Sequence, residues 1–432
     1  MTRFLPEEVS HSPLRCTTSL PNEMQFRLSA VKLLVVAASL VISQVAGAQS
    51  VDSLRVMTYN IWVGGNAAGL PLSRTAGVIN VAQADVIGLQ EVGGSGPALA
   101  NMLGFYYHGF NSDLGILSRY PIIQTLSAGV KLQLSPTQEA YIFDAHLAAY
   151  PYQPYDFRDG LLTTEAQAIA AAQATRGSSA AALINGMSSA LAMGAPVFLT
   201  GDFNEPSHLD WTPEAAAAGL NFGKKVDWPT SRTVTNGGLI DAFRELRPDE
   251  VLDRGETWTP GTPAPTQDPG EVHDRIDMVY YAGVNVVPTQ ALVLGYDAND
   301  PNTDVGIQPY PSDHRAVVVQ FDLPASFLAG DLNGDSVVSA ADWMQLRTWQ
   351  FGDLTGLTRS QAYSRGDLSG DFLNDHLDFV LFKNLYETAH GVGTFAQMLA
   401  TVPEPGAAAL AAGVVAALPM FTRERRRRRS PR

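Results

Sequence analysis

The amino-acid sequence predicts an α/β fold for most of the chain, followed by a small acidic module with a different pattern. Short apolar runs of β type alternate with helical or loop stretches from residue 54 onward, and most of these runs end in a polar residue. With 432 residues, 45% of them hydrophobic and 17% charged, the chain has enough apolar material for one large globular domain and a smaller unit.

The runs that are typical of strands are residues 54–62, 85–92, 115–118, 141–147, 197–202, 275–281 and 316–321. The alanine-rich residues 163–192 have the apolar spacing of a helix, although Gly177 and Gly186 weaken this prediction. Residues 148–160 are rich in aromatic residues and proline, so we expect a loop there. This loop either forms the wall of a pocket or packs as an ordinary surface loop.

The N-terminus has the pattern of a secretory signal peptide spanning residues 1–48. Arg27 and Lys32 precede an apolar run, and small residues at 46–48 provide a cleavage pattern. Met24 is an alternative start, and an uncleaved membrane anchor is the alternative interpretation. The single cysteine, Cys16, lies in this segment, so we expect a mature protein without disulfide bonds.

The charge balance argues against broad electrostatic capture of nucleic acid. The chain has 29 basic and 43 acidic residues, a formal net charge of −14 at pH 7. Non-specific binding to nucleic acid depends on lysine and arginine side chains that neutralise phosphates. A locally basic groove, or a metal ion that supplies the positive charge, stays open.

Polar residues suited to phosphoester chemistry follow the predicted strands. Hydrolysis of a phosphoester at neutral pH needs a metal ion, an oriented water molecule and groups that hold charge in the transition state. Carboxylates, amides and paired histidines supply these functions. The candidates are Asn60, Glu91, His146, Asp202, Asn204, Asp277, Asp313 and His314.

Taken together and in this order, these motifs resemble the endonuclease/exonuclease/phosphatase superfamily, over about residues 54–323. This superfamily includes deoxyribonucleases, abasic-site endonucleases, sphingomyelinases and inositol polyphosphate phosphatases. The resemblance implies a domain over residues 50–324 with a four-layer α/β sandwich, in which helices flank two mixed β-sheets and the site lies at one end.

The resemblance also implies roles for the residues. Mg²⁺ or Mn²⁺ would be held by Asn60, Glu91 and Asp313, with Glu91 as the principal ligand. The remaining implied catalytic residues are His146, Asp202, Asn204, Asp277 and His314. In these roles Asp202 orients or deprotonates the water, Asn204 donates to phosphoryl oxygens, and Asp277 holds His314. Whether Asp202 or His314 takes the proton stays open.

His146 favours the deoxyribonuclease and sphingomyelinase branches, because the abasic-site enzymes have tyrosine at this strand end. A histidine satisfied by core or turn contacts is the alternative. The expected function is therefore metal-dependent hydrolysis of a phosphodiester, with a slight preference for DNA as substrate. A phospholipid or small organophosphate is the first alternative, and a non-catalytic, calcium-dependent surface protein is the second. We expect a monomer.

Residues 326–390 contain two acidic stretches of twelve residues that begin at Asp331 and Asp367. Oxygen-bearing side chains recur at matching offsets: Asp331, Asn333, Asp335, Ser339 and Asp342, then Asp367, Ser369, Asp371, Asp375 and Asp378. The pair resembles dockerin type I repeats, which implies Ca²⁺ binding and a cohesin-like partner. Ser336 and Phe372 replace the expected glycine. Acidic turns that join two short helices are the alternative.

The tail, residues 402–429, contains Val402-Pro403-Glu404-Pro405, a short apolar stretch and a cluster of arginines. It resembles the PEP-CTERM sorting signal, which implies recognition by bacterial sorting machinery. We therefore expect secretion across the inner membrane and location in the cell envelope or at the cell surface. An uncleaved C-terminal anchor is the alternative.

Overall fold

The computed structural model describes residues 50–136, 138–259, 270–324, 328–357 and 359–402. The predicted signal peptide and the sorting signal from Pro403 onward lie outside the described residues. Of the helices that are described, none combines the length and the apolar character needed to cross a membrane.

The first β-sheet is mixed and contains seven strands among the described residues. Its strands are β1 (Ser53–Asn60), β2 (Val86–Gln90), β3 (Tyr106–Gly109), β4 (Gly115–Ser118), β11 (Val287–Gly295), β12 (Val305–Gly306) and β13 (Ala316–Asp322). They lie in the order β12-β11-β13-β1-β2-β4-β3. Strand β1 runs parallel to β2 and antiparallel to β13, so the ends of β1 and β2 emerge at the same edge.

The second sheet brings three candidate residues side by side. Its strands, as far as the structure describes them, are β5 (Ile122–Thr125), β6 (Gly129–Ser135), β7 (Gln138–His146), β8 (Val197–Asp202), β9 (Ile240–Asp241) and β10 (Asp277–Ala282). They lie in the order β5-β6-β7-β8-β10-β9. In the parallel pairing of β7 with β8, His146 lies opposite Asp202. In the antiparallel pairing of β8 with β10, Asp202 lies opposite Asp277.

Strand β1 shows why the core forms between and outside the sheets. Leu54 and Val56 are buried with Phe198 of the second sheet, whereas Met57 and Tyr59 are buried with the helices on the other side. Successive side chains of a strand point to opposite faces, so a strand that is apolar on both faces needs cover on both. The two sheets therefore pack face to face, with helices outside.

The helices are α1 (Trp62–Gly65), α2 (Ser73–Ala82), α3 (Gly96–Leu103), α4 (Gln153–Arg158), α5 (Glu165–Ala172), α6 (Ser178–Ala192), α7 (Pro213–Ala217), α8 (Pro229–Asn236), α9 (Ala242–Leu246), α10 (Ala340–Thr348), α11 (Arg359–Ser364), α12 (His376–His390) and α13 (Thr394–Thr401). A π-helical segment, Gln173–Gly177, joins α5 to α6, so the helix continues through Gly177. The prediction of a loop over residues 148–160 is wrong for α4. Pro154 lies in the first turn of α4, where proline sacrifices no intrahelical hydrogen bond.

Strands β3, β5, β6, β9, β11 and β12 are absent from the sequence prediction. Four of them, β3, β5, β9 and β12, are at the edges of the sheets. Tyr106 in β3 and Ile123 in β5 are exposed. Edge strands lack the continuous apolar run that marks a strand covered on both faces, which explains why these four gave little signal.

The C-terminal module packs against the sandwich through Tyr363. Its buried cluster, which includes Leu332, Trp343 and Tyr363, also contains Val284 of the sandwich. Gly194 has a φ of +65°, and a Cβ placed there would come within 2.6 Å of the Tyr363 ring. The two units are therefore in contact at Val284, Gly194 and Tyr363, and the domain boundary near residue 324 stays a prediction.

Candidate functional site

The amide of Asn60 lies at the centre of the candidate site. Asn60 ends β1, is fully buried, and donates from Nδ2 to Glu91 Oε1 at 3.2 Å and to Asp202 Oδ2 at 3.0 Å. The same nitrogen is 3.4 Å from Nε2 of His314. Trp62 N–H donates to Asn60 Oδ1 at 3.0 Å, which fixes the orientation of the amide. The structure thus brings together residues that are far apart in the chain.

His314 forms a hydrogen-bonded pair with Asp277. The distance from Nδ1 of the imidazole to Asp277 Oδ2 is 2.9 Å, and Nε2 is 3.7 Å from Asp202 Oδ2. Burial by itself lowers the pKa of His314, but the carboxylates of Asp277 and Asp202 outweigh this effect and raise the pKa to about 10. The indole of Trp258 packs against the imidazole, with 4.8 Å between ring centroids. The geometry matches the predicted pairing of base and orienting carboxylate.

A second histidine–carboxylate pair lies on the other side of Asp202. Nδ1 of His146 is 3.0 Å from both carboxylate oxygens of Asp113, and Nε2 is 3.6 Å from Asp202 Oδ2. Burial lowers the pKa of His146, whereas the carboxylates of Asp113 and Asp202 raise it, to about 9 overall. Asp202 therefore faces two imidazoles, each held through Nδ1 by its own carboxylate.

Asp113 was missing from the sequence prediction. It lies just before β4 in a turn in which Asn111 Oδ1 accepts hydrogen bonds from the N–H groups of residues 113 and 114. The sequence of this turn predicts a loop, and it does not by itself predict a residue of the candidate site. Asp113 Oδ1 also accepts the N–H of Glu91 at 3.2 Å, so this carboxylate links His146 to the predicted metal ligand.

Asn204 lines the pocket with an amide that is already bonded. Its N–H donates to Asp202 Oδ1 at 2.9 Å, and Nδ2 donates to the carbonyl of Leu147 at 3.1 Å. Its φ of +47° is in the left-handed region, which asparagine tolerates better than most residues. The backbone N–H of Asn204 thus orients Asp202. Because Nδ2 carries a second hydrogen, the role that the resemblance implies for this amide, donation to phosphoryl oxygens, stays a prediction.

Glu91 and Asp313 are the residues that fit a divalent cation. Both line the same pocket, and Asp313 Oδ1 is buried without a hydrogen-bond partner. Burial raises the pKa of Asp313 to about 6; His314 opposes this shift, and the Glu91 carboxylate adds to it. Glu91 accepts Val63 N–H at 2.8 Å on Oε2. Two neighbouring carboxylates, one with an unpartnered oxygen, are the hard donor set that Mg²⁺ or Mn²⁺ prefers.

A second group of atoms that could hold a metal ion comes from two carboxylates and an imidazole. Those of Asp202, Asp277 and His314 lie within 4.8 Å of one another. Asp277 already contacts Nδ1 of His314. Glu91 and Asp313 are the other carboxylates in this pocket that could hold a cation.

Arg119 and Asp241 form ion pairs away from the candidate site residues. Arg119 Nε is 3.0 Å from Asp85 Oδ1. Asp241 pairs with Arg275 at 2.7 Å and caps α9 by accepting the N–H of Arg244.

The predicted calcium loops have matching hydrogen bonds. Asp331 accepts the N–H groups of residues 334–336, and Asp367 accepts those of residues 370–372. Asp342 and Asp378 complete capping boxes at the starts of α10 and α12. Ligand atoms of Asp331, Asp335 and Asp342 lie within 4.8 Å of one another.

The position expected to hold glycine in these loops is left-handed in both of them. The φ of Ser336 is +69° and that of Phe372 is +62°. The turn therefore forms with side chains that disfavour this conformation. Calcium binding stays a prediction.

The pocket at the ends of the two sheets, where the candidate catalytic residues lie, has a volume of about 310 Å³. Glu91, His146, Asp202, Asp313 and His314 contribute to its lining, and the side chains of Tyr150, Tyr152, Tyr155 and Trp258 form an aromatic wall. The predicted aromatic segment therefore contributes directly to this pocket.

Comparison with known proteins identifies the family. The pattern of the Endonuclease/Exonuclease/phosphatase family matches residues 57–314. The uncharacterized protein F14F9.5 of Caenorhabditis elegans is 30% identical over 292 residues, which are 62% of this chain and 91% of that protein.

Solved structures of low sequence identity are also similar. The D. rerio TDP2 complexed with single strand DNA product is 17% identical, with a TM-score of 0.40, and the match covers 63% of this chain and all of that one. An endonuclease/exonuclease/phosphatase from Beutenbergia cavernae is 17% identical, with a TM-score of 0.41, and the match covers 63% of this chain and 72% of that one. An AP endonuclease from Archaeoglobus fulgidus is 14% identical, with a TM-score of 0.39, and the match covers 62% of this chain and all of that one. From the family match and the Caenorhabditis elegans relative, the chain belongs to the Endonuclease/Exonuclease/phosphatase family.

Proposed function

We propose that this protein is a hydrolase that cleaves phosphodiester bonds with the help of Mg²⁺ or Mn²⁺. The observation that carries the proposal is the convergence of Glu91, Asp202 and His314 on the buried amide of Asn60. These three residues come from separate strand ends. Packing of the core does not require two carboxylates and an imidazole around one buried amide. Burial of so many ionisable groups lowers the stability of the folded protein, and such clusters are typical of functional sites.

Asp202 is the residue placed to take a proton from water. Its Oδ2 lies 3.6 Å from Nε2 of His146 and 3.7 Å from Nε2 of His314. The water oxygen attacks phosphorus in line as one water proton passes to Asp202. The bond from phosphorus to the leaving oxygen breaks, and that oxygen takes a proton from one of the two imidazolium groups. Transfer of the proton from Asp202 to this imidazole restores the site.

Glu91 and Asp313 would hold the metal ion, and Asn60, the third predicted ligand, would orient Glu91 through its Nδ2. A divalent cation at this position supplies charge neutralisation on the phosphate oxygens. The described lining of the pocket contains neither lysine nor arginine, so the histidines are the only side chains of that lining that can carry a positive charge.

Hydrolysis of bis-p-nitrophenyl phosphate by the full chain, with and without excess chelator, tests this function. We expect Mg²⁺ or Mn²⁺ to restore activity after chelation, and we expect Glu91→Gln to lose most of it because the ligand loses its charge. Glu214→Gln, at an exposed position in α7, is the matched control. Full activity in chelator would remove the metal from the proposal. Absence of hydrolysis with every metal would favour a non-catalytic surface protein.

We also propose that the protein is secreted and held in the bacterial envelope or at the cell surface, with Ca²⁺ in its paired acidic loops. Support comes from the sequence patterns of residues 1–48 and 402–429 and from the matching hydrogen bonds of the two loops. Sorting machinery and a cohesin-like protein are the corresponding partners. Fractionation of cells that express the full chain, compared with a chain truncated after Thr401, tests the location. Equal envelope retention of both would contradict a role for the tail.

A further inference from the structure

One wall of the catalytic pocket is made of aromatic rings. Tyr150, Tyr155 and Trp258 line it beside Asp202 and His314. Tyr150 is 73% exposed, so its ring is available to a bound molecule. The faces of aromatic rings carry negative electrostatic potential and attract cations, most strongly where several rings line one space.

A carboxylate lies at the polar edges of two of these rings. Tyr155 O–H donates to Glu271 Oε1 at 2.5 Å, and Trp258 Nε1–H is 3.3 Å from the same oxygen. The N–H of Val272 donates to it at 2.9 Å, which fixes its position. An anion that accepts hydrogen bonds from the ring edges pushes electron density toward the ring faces, so Glu271 strengthens their attraction for a cation.

None of the described residues that line this space has a basic lysine or arginine side chain. The guanidinium nearest to the wall belongs to Arg158, 4.5 Å from the centroid of the Tyr155 ring. It is paired with Asp159 at 2.8 and 3.1 Å and donates to the Gly270 carbonyl at 2.9 Å. Its charge is therefore compensated beside the pocket. A polyanionic substrate would need free basic or backbone donors here.

We propose that the substrate is a zwitterionic phosphodiester whose quaternary ammonium group lies against Tyr150, Tyr155 and Trp258, with Glu271 supplying negative charge. This inference rests on the proposed phosphodiesterase function and names its substrate class. The phosphate occupies the Glu91, Asp202 and His314 end of the pocket, and the cation occupies the aromatic end. A pocket of about 310 Å³ suits a head group of this size. The net charge of −14 repels a polyanion but not a molecule without net charge.

The test compares two chromogenic esters that differ only in the positive charge. These are p-nitrophenyl phosphorylcholine and its carbon isostere, p-nitrophenyl 3,3-dimethylbutyl phosphate. Both release p-nitrophenolate, so the ratio of their kcat/KM values isolates recognition of the cation. We expect the choline ester to be favoured by at least about tenfold.

Variants locate the preference in the wall. Tyr150→Leu and Glu271→Gln should each lower the ratio by at least about threefold, through a loss of kcat/KM that is larger for the choline ester than for the isostere. Tyr150→Phe keeps the ring and should keep the ratio. A ratio near unity in the full chain, with both esters hydrolysed, overturns this inference and leaves the phosphodiesterase proposal standing. If neither ester is hydrolysed while bis-p-nitrophenyl phosphate is, the inference is overturned; if none of the three is hydrolysed, the proposed function itself is overturned. A preference that survives both Tyr150→Leu and Glu271→Gln places the cation elsewhere and also overturns the inference.

Discussion

His146 lies directly opposite Asp202 in the parallel pairing of β7 with β8, and its Nε2 is 3.6 Å from Asp202 Oδ2. On the other side, His314 Nε2 is 3.7 Å from the same oxygen. One buried carboxylate thus faces two imidazoles that are held from behind by Asp113 and Asp277. In the proposed mechanism, this arrangement separates the group that accepts the proton of water from the groups that protonate the leaving oxygen.

Asp202→Asn should lower kcat by at least about 10²-fold, because the amide cannot accept the proton and one transition-state contact is lost. Steady-state hydrolysis of bis-p-nitrophenyl phosphate provides the measurement, and the melting temperature confirms that the fold is retained. Asp331→Ala, in the first acidic loop, is the control and should leave kcat unchanged. An equal loss in both variants would contradict the placement of the site.

Asp113 acts through His146 as a positioning residue, so its substitution should depend on that histidine. We expect Asp113→Asn to lower kcat by at least about tenfold, and we expect the double variant with His146→Ala to be no slower than His146→Ala alone. A double-mutant cycle on kcat measures this coupling. Additive losses would indicate that Asp113 serves only the Glu91 loop, whose N–H it accepts.

Gly194→Ala should destabilise the folded protein, because the new methyl group would meet the Tyr363 ring at 2.6 Å while φ is +65°. Gly104 has a similar φ of +70° at a helix end, but a Cβ placed there would have no neighbouring atom within 4 Å, so Gly104→Ala reports the backbone strain alone. We expect Gly194→Ala to cost about 1–3 kcal/mol more than Gly104→Ala in urea unfolding. Equal costs would show that the C-terminal module leaves this contact in solution.

His208 should make the protein less stable in mild acid. Burial lowers the pKa of His208 to about 4, and the charge of Arg232 adds to this effect. In the unfolded chain the pKa is about 6.5, so below that pH the unfolded state binds a proton that the folded state does not. The contribution of His208 to the free energy of unfolding therefore falls as pH drops from about 6.5 toward 4, by about 2 kcal/mol at pH 5.

Substitution of His208 tests that pH dependence. His208 is hydrogen-bonded to Ser231 Oγ at 2.8 Å through Nδ1, and asparagine offers a polar group of similar reach that does not titrate. Urea unfolding at pH 7.5 and pH 5 should show a smaller loss of stability in His208→Asn than in the unaltered protein. Parallel losses in both proteins would assign the acid sensitivity to other groups.

The sequence by itself determined the class of fold and most of the residues of the candidate site. A strand that is covered on both faces shows as a continuous apolar run, and a polar residue at its end shows as a break in that run. Both are local properties, so Asn60, Glu91, His146, Asp202 and His314 were identifiable without knowledge of the sheet order. The edge strands and α4 escaped prediction because partial exposure and tertiary contacts, and not local pattern, stabilise them.

Only the tertiary structure decided which groups face each other. Asp113 meets His146, and Glu271 meets Trp258, across loops whose sequences carry no mark of these contacts. Tyr363 likewise packs on Gly194 from a segment that reads as a separate module. The local sequence shows which side chain lies at a strand end. The partner of that side chain depends on the register and packing of elements that are distant in the chain.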